Sequence, residues 1–438
     1  MNTMGRYILI LCLGLFIGSA ITMERAVFAE RVGPQPLPLD TLRIFTEIFG
    51  KVKSDYVEAV GDKKLLEDAI HGMLAGLDPH SAYLNPESFK EMRIGTEGKF
   101  GGLGIEVTME NGFVKVVAPI DDTPAERAGL KAGDVITRID DTPVKGMNLN
   151  DAVKQMRGAP DTDIKLTVVR DRESKPIDFV ITRAIIKITS VKGQMIEPGY
   201  AYVRVSQFQA GTADSLRRKL SKLKNEADGA LNGLILDLRN NPGGVLNGAI
   251  AVSDMFISKG LIVSTQGRLE DSKVEYTATP NDYLKDSPMV VLVNGGSASA
   301  SEIVAGALQD HGRAIIMGTK TFGKGSVQTI LPIDNGAALK ITTARYYTPS
   351  GGSIQATGII PDVIVEDLEI KRKEAAPNRL RESNLQGHLE NENGSAGDSG
   401  EGGPAAADAG PKIDNDFQLR EALNLLKGVN IVRNQGNS

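Results

Sequence analysis

Short apolar runs alternate with helical patterns after Ile186, and this alternation constrains the fold of the 438-residue chain most strongly. Strands are predicted at 200–205, 233–238, 289–293, 314–317 and 337–347, and helices at 213–224, 248–257 and 301–310. Strands that alternate with helices predict an α/β core, and the chain as a whole is predicted to be mixed α/β.

The segment Gly295–Glu302 reads Gly-Gly-Ser-Ala-Ser-Ala-Ser-Glu and lies between a predicted strand and a predicted helix. A serine at such a turn has its hydroxyl near a helix N-terminus, where backbone N–H groups can hold an oxyanion. Ser299 and Glu302 also have the spacing of a capping box, which is an ordinary helix start. Ser299 is therefore either a nucleophile or a structural cap.

A lysine between two glycines follows in the segment Phe322–Ser326. Close packing at glycines desolvates an ammonium and lowers its pKa, so that the neutral amine of Lys324 can take a proton from a serine. Together the two segments predict serine hydrolysis without histidine, although most lysines are solvated surface charges. Residues 318–325 resemble a phosphate-binding loop but have Gly325 where Ser or Thr is needed, so no nucleotide site is expected.

A second hydrolase interpretation uses His311. This histidine follows the helix that Ser299 begins, which would place it roughly 15–18 Å from the serine along the helix axis. The interpretation with Lys324 is therefore preferred.

The predicted strand 233–238 ends in Arg239-Asn240-Asn241-Pro242-Gly243-Gly244. A proline and two glycines at the carboxyl end of a strand predict a tight turn with exposed N–H groups. The turn is either a simple connector or part of a site, because open α/β sheets place their sites at strand ends.

Composition excludes several classes of function. The chain has 50 basic and 55 acidic side chains, which does not suggest a nucleic-acid partner. Its single cysteine, Cys12, lies in an N-terminal apolar run, so a mature chain without that run has neither a thiol nucleophile nor a zinc–thiolate site. The four histidines have no partner at metal-ligand spacing, and no metal or cofactor is expected.

Residues 1–29 have the pattern of a secretory signal, since Arg6 precedes an apolar run and small residues end at Ala29. The run, residues 7–22, is shorter than the roughly 20 residues that span a bilayer, so an uncleaved inner-membrane anchor is the second interpretation.

After residue 29 the chain is predicted to begin with helices, and a linker is predicted before its C-terminal end. Residues 30–95 form a helical N-terminal segment with helices at 39–56 and 64–77, whose apolar stripes pack on a core or on another subunit. Residues 367–412 are predicted to be a disordered linker.

Beyond that linker, residues 413–438 are predicted to form an amphipathic helix closed by Gly428. Its apolar face predicts docking on a second copy, a partner protein or, less favoured, a membrane surface.

Residues 96–185 are rich in short β-runs and carry two glycine motifs, Gly101-Gly102-Leu103-Gly104-Ile105 and Ala128-Gly129-Leu130-Lys131-Ala132-Gly133-Asp134. The segment resembles a PDZ domain. The resemblance implies that the Gly-Leu-Gly loop presents N–H groups to the terminal carboxylate of a peptide, which adds as a strand to the sheet edge. A glycine-rich hairpin without a ligand is the alternative.

The order of these features over roughly residues 40–366 resembles the carboxyl-terminal processing proteases, also called tail-specific proteases. The resemblance implies that residues 186–366 are a serine protease core with Ser299 as nucleophile, Lys324 as general base and Gln328 orienting the lysine. It also implies an oxyanion hole formed by the N–H of Ala300 and that of Gly243 or Gly244.

The function expected from the resemblance is an exported serine endopeptidase of the bacterial periplasm. It would recognise substrate C-termini through the PDZ domain, assemble as a homo-oligomer and respond to an activating adaptor protein, with peripheral membrane association as a further option. The alternative function is a PDZ scaffold with a latent or inactive protease domain.

Overall fold

The computed structural model describes residues 37–120, 122–171, 173–285, 287–368 and 416–436. The chain divides into two compact units, residues 1–76 and 77–438. The predicted signal peptide and residues 369–412 of the predicted linker lie outside the described ranges. None of the helices within those ranges is long and apolar enough to cross a membrane.

The described part of the first unit consists of two helices, α1 (Leu39–Asp55) and α2 (Asp62–Ala75). Both lie within two residues of their predicted bounds. Helix α1 buries no residue and exposes a row of large apolar side chains. These side chains are Leu39, Leu42, Ile44, Phe45, Ile48 and Val52.

The second unit begins with a short strand and a helix, β1 (Ala82–Leu84) and α3 (Pro86–Glu97). Asn85 caps α3 by accepting the N–H of Ser88 at 2.8 Å, and Gly98, at φ 69°, ends it. The asparagine cap, the proline at the first helical position and the left-handed glycine are standard helix signals.

The predicted PDZ segment is a small antiparallel sheet in the strand order β3-β4-β5-β7-β8, with β6 paired to β5. A separate ribbon pairs β2 with β9. The elements are β2 (Lys99–Gly102), β3 (Ile105–Glu110), β4 (Phe113–Pro119), α4 (Pro124–Arg127), β5 (Val135–Ile139), β6 (Thr142–Pro143), α5 (Leu149–Met156), β7 (Asp163–Val169), β8 (Ile177–Thr182) and β9 (Ala184–Lys187). Strand β3 lies at the edge of this sheet.

The central sheet has six strands in the order β10-β11-β12-β15-β16-β19. All neighbours from β11 to β19 are parallel, and only β10 runs antiparallel to its neighbour. The elements of this region are β10 (Val191–Glu197), β11 (Tyr200–Val205), α6 (Thr212–Glu226), β12 (Gly233–Asp237), α7 (Leu246–Asp254), β13 (Leu261–Gly267), β14 (Val274–Thr277), β15 (Met289–Val293), α8 (Ala300–Asp310), β16 (Ile315–Gly318), β17 (Ser326–Pro332), β18 (Ala338–Tyr347), β19 (Val363–Ile364) and α9 (Phe417–Gly436).

Both faces of the central sheet are covered, which explains why its strands read as continuous apolar runs. Helices α6, α7 and α8 pack on one face, and α9 packs on the other. Alternate residues of β12 divide between the two cores, with Leu234 and Leu236 facing the three helices and Ile235 facing α9.

The structure corrects two expectations about the C-terminal helix. It continues through Gly428 to Gly436, because a glycine weakens a helix without having to end it. Its apolar face docks on its own sheet, where Leu419, Leu423 and Leu426 are buried against the strands, rather than on a second copy, a partner or a membrane. Each buried leucine contributes roughly 1.5–3 kcal/mol to that docking.

A second, antiparallel sheet lies beside the core in the order β1-β18-β13-β14, with β17 paired along β18. Strand β18 carries Lys340, Thr342 and Tyr346, and β1 pairs with its first residues. This sheet brings the segment around Asp78 next to the strand that follows Lys324.

Candidate active site

Ser299 lies between the carboxyl end of β15 and the first residue of α8. Its backbone has φ 56° and ψ −111°, and its side chain is buried. A non-glycine residue at positive φ costs roughly 1–3 kcal/mol and persists only where its surroundings fix it. The serine is therefore held in a strained turn at a helix N-terminus.

The three serines of the Ser-Ala-Ser-Ala-Ser run have different partners. The hydroxyl of Ser297 donates to the carbonyl of Leu238 at 2.8 Å, and that of Ser301 donates to the carbonyl of Asn241 at 2.9 Å. These two serines tie the turn to the neighbouring strand end. The hydroxyl of Ser299 instead lies beside the phenol of Tyr346.

Tyr346 of β18 is buried beside the serine, and this burial raises the pKa of its phenol to about 12. Its backbone N–H donates to the carbonyl of Gly325 at 2.8 Å, next to Lys324. The phenol therefore stays protonated at neutral pH and contacts the Ser299 hydroxyl.

Glu302 is fully buried and accepts four hydrogen bonds. Its Oε2 accepts the N–H of Ser299 at 2.7 Å and that of Lys324 at 2.9 Å. Its Oε1 accepts the N–H of Gly323 at 2.7 Å and the hydroxyl of Thr321 at 2.6 Å. A buried carboxylate is stable only when its lone pairs are satisfied, and here the four donors join the serine turn to the lysine loop.

The Lys324 side chain is partly buried, and burial is the main cause of the lowered pKa of its ammonium. The positive charge of Lys340 lowers this pKa further, whereas the carboxylates of Asp78 and Glu302 raise it. His80 faces the same group, and its own pKa is lowered by burial and by the charge of Lys324. The net effect is a lowered pKa of Lys324, which increases the fraction of neutral amine.

Gln328 contacts residues other than the lysine. Its amide Nε2 donates to the hydroxyl of Ser326 at 2.9 Å and to that of Thr342 at 3.3 Å. Within the described residues, no hydrogen bond joins Lys324 Nζ to Ser299 or to Gln328. Strand β17 begins only at Ser326 and has a bulge between Val327 and Gln328, so Lys324 and Gln328 do not lie on one regular strand.

Asp78 extends this polar network from the segment before β1. Its carboxylate accepts the Ser81 hydroxyl at 2.7 Å, two backbone N–H groups and the Thr342 hydroxyl. Burial opposes ionisation of Asp78, but these hydrogen bonds outweigh it and lower its pKa. Asp78 therefore remains a carboxylate near Lys324.

The turn after β12 packs directly on the serine segment. Asn241 is fully buried, donates to the carbonyl of Val205 at 2.8 Å, and its carbonyl accepts the Ala298 N–H at 3.0 Å. A Cβ on Gly243, whose φ is 103°, would lie 2.9 Å from Ser299 Cβ and 3.0 Å from the nitrogen of Ala300. Only glycine allows this approach.

Two N–H groups of this region point away from the protein's own acceptors. The Gly243 N–H is taken by Asn241 Oδ1 at 2.9 Å, whereas in the described part of the chain no acceptor takes the Gly244 N–H. Ala300 is the first residue of α8, and its N–H has no partner inside the helix. The site thus offers the N–H groups of Gly244 and Ala300.

His311 lies at the opposite end of α8 from Ser299. Its Nε2 is 2.7 Å from the carbonyl of Leu261, to which the ring nitrogen donates. The imidazole is therefore engaged away from the serine, as its spacing predicted.

The predicted peptide-binding loop, Gly101–Ile105, connects β2 to the edge strand β3. Leu103 is buried in the PDZ core, and a Cβ on Gly104, whose φ is 80°, would lie 2.3 Å from Thr123. The carbonyl of Gly104 accepts the Ile120 N–H, while the N–H groups of Leu103 and Gly104 have no acceptor among the described residues. The loop therefore presents free donors beside an unpaired strand edge.

No cluster of three or more His, Cys, Asp or Glu side chains within the described ranges is arranged to hold a metal ion.

Three segments of the chain match known families. Residues 199–365 match peptidase family S41, residues 101–180 match the PDZ domain, and residues 19–88 match the activating protease CtpB N-terminal domain.

Among curated proteins, the carboxy-terminal-processing protease of Bartonella bacilliformis is 50% identical over 385 residues, which are 88% of this chain and 88% of the relative. This chain belongs to the carboxy-terminal-processing proteases. A "Probable CtpA-like serine protease" of Staphylococcus aureus is 37% identical over 384 residues, covering 85% of this chain and 75% of the relative. The solved photosystem II D1 C-terminal processing protease is 33% identical, with a TM-score of 0.43, over 74% of this chain and 86% of that one.

Membership of the carboxy-terminal-processing proteases makes the chain a serine-type C-terminal processing peptidase with a PDZ domain. The predicted family, fold class and enzyme class are confirmed. The PDZ domain indicates binding of peptide C-termini.

Four residues around Ser299 and Lys324 were not predicted from the sequence to be near the site: Tyr346, Thr342, Asp78 and Lys340. Glu302 was noticed only as a helix cap. Its link to the lysine loop could not be inferred, because capping-box spacing describes contacts within one helix turn.

Proposed function

We propose that the peptidase cleaves peptide bonds through an acyl-enzyme, with Ser299 as nucleophile and Lys324 as general base. The observation that carries this proposal is the shared carboxylate of Glu302, which binds the backbone of both residues. A strained serine at a helix N-terminus and a lysine with a lowered pKa are thereby held in one rigid frame. Such a pair has the chemistry that serine hydrolysis without histidine needs.

The reaction begins when the neutral amine of Lys324 takes the proton of the Ser299 hydroxyl. The serine oxygen attacks the scissile carbonyl, and the resulting ammonium gives its proton to the leaving amine. Water then attacks the ester while Lys324 takes a proton from it. Lys324 returns this proton to the Ser299 oxygen as the ester bond breaks and the new C-terminus is released.

The oxyanion of each tetrahedral intermediate is proposed to bind the N–H groups of Ala300 and Gly244. Gly243 is the weaker candidate, because its N–H already donates to Asn241. Its role is to let the turn approach Ser299 closely. Fixed backbone donors of this kind are worth roughly 10²–10³-fold in rate each.

Gln328 is proposed to orient the lysine through its amide carbonyl. The amide nitrogen is held by Ser326 and Thr342, which leaves the carbonyl oxygen as the acceptor for the Lys324 ammonium after the lysine side chain rotates. Substrate binding is proposed to favour that rotation and to move the Ser299 hydroxyl from Tyr346 towards the amine.

The decisive experiment measures cleavage of a fluorescently labelled unfolded protein by the full chain and by Ser299→Ala and Lys324→Ala. Ser258→Ala and Lys320→Ala are the matched controls, since both side chains are exposed and Lys320 lies in the same loop as Lys324. Loss of cleavage in the first pair alone supports the dyad. Activity that survives in Lys324→Ala refutes Lys324 as base.

The PDZ domain is proposed to select substrates by their free C-terminal carboxylate. The free N–H groups of Leu103 and Gly104 and the edge strand β3 support this assignment. Amidation of the C-terminus of a substrate should slow its cleavage, while cleavage of a short peptide that reaches only Ser299 should not change.

Export to a bacterial periplasm is proposed from the pattern of residues 1–29. Cell fractionation and N-terminal sequencing distinguish a cleaved signal from a retained inner-membrane anchor. Cytoplasmic recovery of the intact chain would refute export.

Self-association is proposed for the exposed apolar row of α1, since a row of this kind is more often an interface than a free surface. Sedimentation of the full chain and of Phe45→Ser tests it. A monomer in both cases would refute the interface and leave an activating adaptor or a membrane surface as occupant of α1.

A further inference from the structure

The turn after β12 is connected to the C-terminal helix α9 through a buried ion-pair cluster. Asp237, the last residue of β12, is fully buried. Its carboxylate accepts the Tyr202 hydroxyl at 2.8 Å and Arg204 Nη1 at 3.3 Å. It also accepts three donors of Arg239, the backbone N–H at 2.9 Å, Nε at 3.0 Å and Nη2 at 2.8 Å.

The other edge of the Arg239 guanidinium faces the start of α9. Nη1 and Nη2 bind the two carboxylate oxygens of Asp416 at 2.9 and 2.7 Å, and Nη1 also binds Gln418 Oε1 at 3.1 Å. The Arg239 side chain is only 11% exposed. All of its donors are used, and bidentate pairing of this kind fixes geometry as well as charge.

The cluster is electrically balanced, because Arg204 and Arg239 face Asp237 and Asp416. Removal of one carboxylate would leave a buried positive charge without its partner, which is costly. Burial opposes the charged form of Arg239, but its pairing with Asp237 and Asp416 outweighs this and raises the pKa of the guanidinium. The guanidinium therefore stays charged, and α9 supplies one of its two carboxylate partners.

Asp416 has a second role at the same position. Its Oδ1 accepts the Leu419 N–H at 3.0 Å and so caps α9. Gln418 donates to the carbonyl of Val365 at 2.7 Å, and the buried leucines of α9 begin at Leu419. The helix cap at Asp416, the ion pair of Asp416 with Arg239 and the buried leucines of α9 therefore all depend on the same helix start.

Arg239 leads directly into the turn that carries the proposed oxyanion donor. Its carbonyl accepts Arg204 Nη2 at 3.2 Å, and the next N–H, that of Asn240, donates to Asn294 Oδ1 at 2.9 Å. The main chain of the turn is thus fixed on both sides of Arg239. A shift of the guanidinium would be transmitted to Gly243 and Gly244 within five residues.

We propose that the C-terminal helix is a positioning element for the oxyanion turn and acts through the Asp416–Arg239–Asp237 cluster. This inference rests on the proposed role of Gly244. Asp416 and Arg239 are positioning residues, since neither touches the reacting atoms. The helix therefore contributes to turnover, in addition to covering the sheet.

The test uses the full chain with Asp416→Asn and Asp416→Ser. Both replacements are good helix caps, so they remove the charge while they keep the cap. The control is Lys427→Gln, which breaks the ion pair of α9 with Glu197 at 2.7 Å without touching Arg239. We expect roughly a 10-fold lower kcat and little change in KM for the Asp416 variants, against ~10²–10³-fold for outright loss of an oxyanion donor.

Hydrogen exchange of peptides that span residues 238–246 gives a readout independent of turnover. Faster exchange there in the Asp416 variants, and not in Lys427→Gln, is the expected result. Unchanged exchange and unchanged kcat in the Asp416 variants, with only a lower Tm, would overturn the inference. Activity that survives in Lys324→Ala, together with exchange that still responds to Asp416, would refute the proposed chemistry and leave the coupling intact.

Discussion

The carboxylate of Glu302 accepts the backbone N–H of Lys324 at 2.9 Å, although the two residues are 22 positions apart in the chain. The same oxygen accepts the Ser299 N–H at 2.7 Å. The distance between the serine turn and the lysine loop is therefore set by one buried carboxylate rather than by a contact between the two reactive side chains.

Glu302→Gln should lower both activity and stability. The amide has the same shape, but its NH₂ group would face two of the four donors that Glu302 now accepts. Each unsatisfied buried group costs roughly 1–3 kcal/mol, and we expect a loss of kcat of roughly 100-fold with a Tm lower by several degrees. Thermal unfolding and steady-state kinetics measure the two effects, and wild-type values of both would contradict the assigned role.

Lys340→Gln and Asp78→Asn should move the pH profile of kcat/KM in opposite directions. The base must be neutral, so activity rises with pH through the pKa of Lys324. Burial, the main cause of the lowered pKa, is the same in both variants. Removing the positive Lys340 raises the Lys324 pKa and moves the rise in activity to higher pH, whereas removing the negative Asp78 moves it to lower pH.

The charged groups that face Lys324 in the two variants are otherwise unchanged. His80 comes from the same segment as Asp78, and Glu302 comes from α8. Shifts in the same direction for both variants, or none at all, would show that the profile reports a group other than Lys324. Lys320→Gln serves as the control for a change of net charge in the exposed part of the loop.

His311→Ala should keep its kcat within a few-fold of the parent. The imidazole bonds to the carbonyl of Leu261 at the far end of α8. Its removal should lower the free energy of unfolding by roughly 1 kcal/mol and leave the catalytic step unchanged. A loss of activity as large as that of Lys324→Ala, with an unchanged Tm, would revive the histidine mechanism.

Gly104→Ala should weaken recognition of substrate C-termini and leave intrinsic catalysis intact. A methyl group at this position meets Thr123 at 2.3 Å in a backbone with φ 80°, so the loop must move and its free N–H groups move with it. We expect a several-fold higher KM for a substrate with a free C-terminal carboxylate. Gly112→Ala also lies at positive φ, but a Cβ there has no neighbour within 4 Å, which makes it the matched control for backbone strain.

The sequence predicted those parts of the molecule that depend on local pattern. The strands 200–205 and 289–293 have the predicted bounds, because a sheet covered on both faces produces continuous apolar runs. The glycine at 243 was recognisable as a turn residue from the local pattern, whereas its proximity to Ser299 followed only from the family resemblance, because the two lie on different strand ends.

The missed features all depend on contacts that are distant in sequence. Asp416 meets Arg239 across 177 positions, and nothing in the composition around either residue indicates the pairing. Tyr346 was read as part of a strand, and only the pairing of β18 with β13 and β17 brings it to Ser299. The helix α9 was predicted to end at Gly428 because glycine was taken as a helix stop, whereas the helix continues to Gly436 with most of its last turn exposed.

Tyr346→Phe should lower kcat by roughly 10-fold or more and leave KM nearly unchanged. The phenol contacts the Ser299 hydroxyl, and with its pKa raised to about 12 by burial it remains a donor throughout the working range of pH. A hydrogen bond to the serine oxygen strengthens as that oxygen gains negative charge, and bonds to charged groups are worth roughly 1.5–3 kcal/mol. Tyr200→Phe, which removes a hydroxyl bonded to Asn430 on the opposite face of the sheet, is the matched control. Equal kcat values for the two variants would show that Tyr346 only fills space beside the serine, whereas a loss confined to Tyr346→Phe would add a third side chain to the proposed chemistry of Ser299 and Lys324.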